Sequence, residues 1–137
     1  MNPTNDALKS FKGALLPQEE MLEVGVRKNK LYIGIPKEIS FQENRVALGP
    51  SSVALLVNNG HRVVIERNAG KNANFTDNDF SEAGAEIAED AKSVYKANMI
   101  VKVAPPSEKE IEFMQQNQTL VSALQISTQS KTYFQKL

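Results

Sequence analysis

Three side chains in this sequence have types and placements suited to chemistry: Lys102, Arg45 and Gln125. Lys102 sits between Val101 and Val103 in the apolar run Met99-Ile-Val-Lys-Val103. An ammonium in a strand covered on both faces is costly unless it is paired or working; the alternative is an edge strand whose lysine faces water. Arg45 shares a polar loop with Lys37, Glu38 and Glu43, where its planar guanidinium suits a carboxylate or phosphate. Its plainer role is a surface ion pair with one of those glutamates. Gln125 directly follows the run Thr119-Leu-Val-Ser-Ala-Leu124. Ligands of an open parallel sheet bind outside the carboxyl ends of the strands, which is the edge where all three residues fall.

Other chemistries are excluded. The chain has no cysteine and a single histidine, His61, so thiolate zinc sites, iron–sulfur clusters and multi-histidine metal centres have no ligands, and no metal is expected. His61 follows Gly60 at a helix end and is expected to be structural. Lys+Arg and Asp+Glu are 16 each, which gives no electrostatic case for nucleic acid. No two of the seven glycines lie closer than nine positions, so neither a G-x-G-x-x-G fingerprint nor a phosphate-binding loop exists here. No apolar run approaches the ~20 residues of a membrane span.

The elements that must position these residues can be read from periodicity. Residues 1–29 form a polar leader in which Pro17-Gln-Glu-Glu-Met-Leu-Glu-Val24 reads as one short helix, a solvated tail or a clasp against a partner. The leader lacks the apolar stretch of a secretory signal and has more acids than a mitochondrial presequence, so a cytoplasmic location is expected. From Lys30 onward, apolar runs alternate with helical stretches. Leu31-Tyr-Ile-Gly-Ile35, Arg62-Val-Val-Ile-Glu66, Met99–Val103 and Thr119–Leu124 read as strands, and Ala85–Ala88 as a minor one. Pro50 opens a helix that Gly60 ends. Thr76-Asp-Asn-Asp79 and Ser107-Glu-Lys-Glu110 are capping boxes, residues 90–97 look helical, and a last helix starts near Ser130. Alternating strands and helices imply an α/β fold: a three-layer, open, mostly parallel sheet with helices on both faces, in a Rossmann-like or flavodoxin-like arrangement.

The stretches Ile33-Gly-Ile-Pro-Lys-Glu38, Glu43-Asn-Arg-Val-Ala-Leu48, Asn59-Gly-His-Arg-Val-Val64, Phe75-Thr-Asp77, Ala83-Gly-Ala85 and Val101-Lys-Val103 occur in order. Together they closely resemble the N-terminal region of the alanine dehydrogenase and pyridine nucleotide transhydrogenase alpha-subunit family, over residues 30–137. The resemblance implies the first part of a split catalytic domain in a longer protein, with the NAD-binding Rossmann domain outside this chain.

It implies further that Arg45 and Lys102 hold the carboxylate and oxo group of a small 2-oxo acid such as pyruvate, in an NAD-dependent oxidative deamination of L-alanine or a related amino acid. Gln125 stands at the position of the family's catalytic histidine. An amide orients water or a carbonyl but exchanges no proton near neutral pH. Three activities therefore stand side by side: an alanine dehydrogenase portion, a transhydrogenase alpha-subunit portion, and a catalytically silent binding module. A homo-oligomer is expected, and no dehydrogenase activity from these residues alone.

Overall fold

The computed structural model describes residues 29–137; the helix expected over residues 17–24 lies outside them. The strands are β1 (Tyr32–Ile35), β2 (Arg62–Glu66), β3 (Glu86–Ala88), β4 (Met99–Val101) and β5 (Thr119–Val121). The helices are α1 (Pro50–Asn58), α2 (Asp77–Glu82), α3 (Ala91–Val94), α4 (Glu108–Ile111) and α5 (Lys131–Lys136). The strands form one sheet in the order β3-β2-β1-β4-β5, with every pairing parallel.

Strand alternation divides the core between the two faces. Ile33 and Ile35 of β1 and Val63 and Ile65 of β2 pack with Val53 of α1 and Phe80 of α2 on one side. Val64 and Ile100 pack with Val94 and Tyr95 on the other. Burial of each such aliphatic side chain contributes about 1.5–3 kcal/mol, and period-two alternation is what sends neighbours to opposite layers. Gly34 is required by space: a Cβ there would stand 2.7 Å from the Val94 carbonyl oxygen, so β1 lies directly against the backbone at the end of α3.

The helix ends follow their local sequence. Pro50 opens α1, and the chain leaves it through a Schellman turn in which Gly60 N–H donates to the Val57 carbonyl at 2.9 Å and His61 N–H to Leu56 at 3.1 Å, with Gly60 at φ +88°. His61 Nδ1 then accepts the Leu31 N–H at 3.2 Å, a structural task. Both expected capping boxes are formed.

Two strands are shorter than expected. β4 ends at Val101 and β5 at Val121, although Val103 and Leu124 continue their apolar runs. β4 is flanked by β1 and β5. The edge-strand alternative for Lys102 therefore does not hold. The helix expected over residues 90–97 contracts to α3, because the chain must turn at Tyr95 and Ala97 to deliver Asn98, whose N–H donates to the Tyr32 carbonyl, into β4.

Candidate functional site

The chain runs outward from β1 through β2 to β3, then crosses back to place β4 on the other side of β1. Such a reversal opens a crevice at the carboxyl ends of the two strands beside it. The loops that leave β1 and β4 are the ones that carry Glu38 and Lys102.

Lys102 is buried there, and its Nζ lies 3.0 Å from Glu110 Oε1 and 3.4 Å from Glu38 Oε2, with the lysine side chain 1% exposed. Its backbone N–H still donates to the Val121 carbonyl at 2.9 Å. Glu38 joins the two loops: its Oε1 accepts the Val103 N–H at 2.6 Å and its Oε2 the Ala104 N–H at 3.3 Å. Glu110 serves twice, since its Oε2 accepts the Ser107 N–H at 2.8 Å as part of the α4 capping box while Oε1 takes the ammonium. One buried cation thus faces two carboxylates.

A third carboxylate, Glu66 at the end of β2, accepts the Lys37 N–H at 2.8 Å and fixes the β1 loop against the sheet. Half burial pushes the Glu66 carboxyl above its ordinary value, with the Glu110 charge adding to that effect and the Lys37 amide opposing it. A cleft of about 380 Å³ opens beside this group, lined by Lys37, Glu66, Lys109, Glu110 and Phe113.

Arg45 is paired with Glu43 and not with the carboxylates that hold Lys102. Its guanidinium makes a two-pronged pair with Glu43, Nε to Oε1 and Nη2 to Oε2, both 2.8 Å, and its side chain is 75% exposed. The hydrogen bond from Arg45 holds the Glu43 carboxyl down at about 2, and the Arg45 guanidinium is correspondingly raised by Glu43, with a smaller contribution from Glu38. Glu38 is therefore the group whose charge reaches both cations. Exposed pairs of this kind are nearly neutral in energy and exchange readily.

Gln125 follows the end of β5 on an exposed left-handed residue at φ +50°, its carbonyl accepting from Thr128 N–H and Oγ1 at 2.9 Å. It lines a second cleft of about 350 Å³ with Ser40, Pro105, Ser107, Gln129 and Tyr133. The α5 helix closes that cleft through Tyr133 Oη, which donates to the Pro106 carbonyl at 2.7 Å. Ser107 borders both clefts. Lys102 lines neither. A wider depression of about 630 Å³ around Asn68, Lys71 and Thr76 contains none of the three candidates, and its Thr76 and Asp77 are engaged by backbone amides.

Glu38 and Glu110 as partners of Lys102 were not visible in the sequence. Glu110 carried a signal for another task, the capping box, and Glu38 lay in the loop credited to Arg45.

A parallel sheet with its polar centre at the strand reversal defines a doubly wound α/β domain. Residues 34–137 match the family described as Alanine dehydrogenase/PNT, N-terminal domain, and the chain belongs to that family. It is 42% identical over 101 residues to alanine dehydrogenase of Staphylococcus epidermidis, covering 74% of this chain and 27% of that protein. Alanine dehydrogenase 2 of Staphylococcus aureus strain USA300 matches to the same extent. Among solved structures, an L-alanine dehydrogenase superposes with a TM-score of 0.73 at 43% identity, over 77% of this chain and 29% of the other. The transhydrogenase from Sinorhizobium meliloti gives 0.64 at 32% identity, over 67% and 27%. The chain spans about a quarter of the length of the curated relatives it matches.

The seven glycines are too widely spaced for a glycine-rich phosphate-binding loop. Among the described residues, no three His, Cys, Asp or Glu side chains gather as a metal site, and no helix is long and apolar enough to cross a membrane.

Proposed function

We propose that this chain is the substrate-side portion of an NAD-dependent alanine dehydrogenase-like oxidoreductase, in which Lys102 and Arg45 bind and orient a small 2-oxo or amino acid. The observation that carries this reading is the position of Lys102: a buried ammonium at the strand reversal, held on two carboxylates at 3.0 and 3.4 Å. Family membership and the alanine dehydrogenase relatives support the same substrate class. The NAD-binding domain, the redox step, a homo-oligomer and a cytoplasmic location belong to the whole protein under this proposal.

The work of this chain is then recognition. Arg45 offers two parallel N–H donors to a carboxylate once it leaves Glu43, and the Lys102 ammonium polarises the oxo group. Gln125, at the mouth of the adjoining cleft, can orient a water or carbonyl, but it cannot act as general acid or base. Calorimetric titration of the chain with pyruvate tests the assignment. Saturable binding that Lys102→Ala and Arg45→Ala each weaken supports it, and heats indistinguishable from dilution argue against it.

Gln125 and the likeness to the Sinorhizobium meliloti transhydrogenase favour a second reading, a transhydrogenase alpha-subunit portion in which these residues are scaffold. Pyruvate binding would separate the two.

A further inference from the structure

The Arg45 guanidinium has two edges that can each hold a carboxylate. Its planar fork carries Nε with Nη2 along one side, and Nη1 with the second Nη2 proton at the tip. Glu43 occupies the side, with Oε1 on Nε and Oε2 on Nη2, both at 2.8 Å. The tip takes no partner among the described residues. With the side chain 75% exposed, that tip is open.

The loop is built to keep the side edge filled. Glu43 N–H donates to the Ser40 carbonyl at 3.1 Å and closes a turn through Gln42, whose φ of +61° is a left-handed backbone that favours glycine. The turn returns Glu43 to Arg45, where its Oε1 also accepts the Arg45 backbone N–H at 3.0 Å. One carboxylate therefore grips the main chain and the fork of the same residue. The Glu43 side chain is itself only 13% exposed. The loop also borders both clefts, one through Ile39 and the other through Ser40.

We propose that Glu43 is a positioning residue that holds the Arg45 fork so that its Nη1–Nη2 tip receives the substrate carboxylate while the Nε–Nη2 side stays on Glu43; this rests on the assignment of Arg45 to that carboxylate. The Nε–Nη2 pair is open to a ligand only after release, which leaves Glu43 Oε2 without a donor and two side chains to be reordered. Docking at the tip needs neither. Arginine has a large rotamer entropy, and a fork already fixed in place does not lose that freedom again when the ligand arrives. The Glu43 charge opposes an incoming carboxylate, but it lies across a solvent-exposed guanidinium, where water and salt screen it.

The test titrates the full chain with pyruvate and with acetate, followed through the nitrogen-15 Nε–H signal of Arg45, which is identified by its loss in Arg45→Lys. In the native chain that signal should persist at saturation with slow exchange with water, because the bond to Glu43 is kept. Glu43→Gln keeps one acceptor and turns an N–H₂ toward Arg45. It should weaken pyruvate binding about three- to tenfold. Its urea midpoint should stay close to the native one, since an exposed pair contributes little to stability. In the Arg45→Lys background the same substitution should leave affinity unchanged.

An Nε–H signal lost at saturation, or tighter binding in Glu43→Gln, means that the pair must open and overturns the proposal. A lowered midpoint with equal weakening in both backgrounds overturns it too, because Glu43 then acts on the fold and not through Arg45. Where Arg45→Lys binds too weakly to measure, the persistence or loss of the native Nε–H signal decides. Pyruvate and acetate binding alike, both with the Glu43 dependence, keeps the positioning and removes the 2-oxo acid reading. Pyruvate binding that ignores Glu43→Gln keeps that reading and overturns the positioning. A native chain that binds neither probe overturns both.

Discussion

The Lys102 ammonium lies 3.0 Å from Glu110 Oε1, with the two side chains 1% and 5% exposed, and the other oxygen of the same carboxylate caps α4. Removing one partner of a buried pair leaves an uncompensated charge and costs about 3–5 kcal/mol, while the pair as a whole contributes little net stability. Lys102→Ala strands two carboxylates, whereas Glu110→Gln leaves the ammonium paired with Glu38. Urea denaturation should therefore show a loss of that size for Lys102→Ala and a smaller one for Glu110→Gln. The reverse order would mean that the pair is not shared as described.

Glu38 bridges the loops that leave β1 and β4 by accepting two backbone amides. A glutamine there can accept from one of them with its oxygen, but turns an N–H₂ donor toward the other. An unsatisfied buried donor costs about 1–3 kcal/mol. Glu38→Gln should lower stability by that amount, and hydrogen exchange should quicken at the Val103 and Ala104 amides in particular. Unchanged exchange there would refute the bridge.

Gly34→Ala tests the contact of β1 with α3. The added methyl meets Val94 O at 2.7 Å, Val94 Cγ1 at 2.9 Å and Ala97 Cβ at 3.0 Å. Backbone cannot give way as a side-chain tip can, so we expect a loss of about 1–3 kcal/mol in thermal or urea unfolding. A neutral substitution would mean that the strand and helix stand farther apart.

Acid should unfold the chain through its caps. Asp79 is held below its ordinary 3.8 by the Thr76 amide, Asp90 below the same value by the Ser93 amide, and Glu86 below 4.5 by Arg62. A carboxyl held down in the fold contributes stability that is present above its unfolded value and lost as pH falls through the folded one. Glu66, raised above its ordinary 4.5, has the opposite sign: its contribution is present below 4.5 and lost as pH rises through its folded value. With more groups lowered than raised, the urea midpoint should fall as the pH drops below about 4. A midpoint that climbs steadily through that range would contradict the assignment.

Much of the sheet was legible because burial on both faces leaves a signal in consecutive residues. Ile33, Ile35, Val63 and Ile65 declare β1 and β2 by themselves, and Gly60 marks the turn out of α1. Strand ends were less legible. Val103 and Leu124 continue apolar runs, yet a parallel ladder stops where its partner does, and Pro105 and Pro106 turn the chain away. The site was legible only in part, since Lys102 is conspicuous as a lone charge among valines while its partners are not. Glu110 satisfied a local capping pattern that hid its second task. Arg45 showed both a substrate clamp and a surface pair, and in the described chain it is paired with Glu43.

The central claim is that this domain presents Lys102 to a 2-oxo acid in an alanine dehydrogenase-like enzyme. Its most direct test is ammonia-dependent oxidation of NADH with pyruvate, followed by the loss of NADH absorbance, in the protein that joins this domain to an NAD-binding domain. We expect turnover that Lys102→Ala abolishes, and none from the 137-residue chain alone. No turnover with pyruvate or any other 2-oxo acid, or an undiminished rate in Lys102→Ala, would contradict the claim.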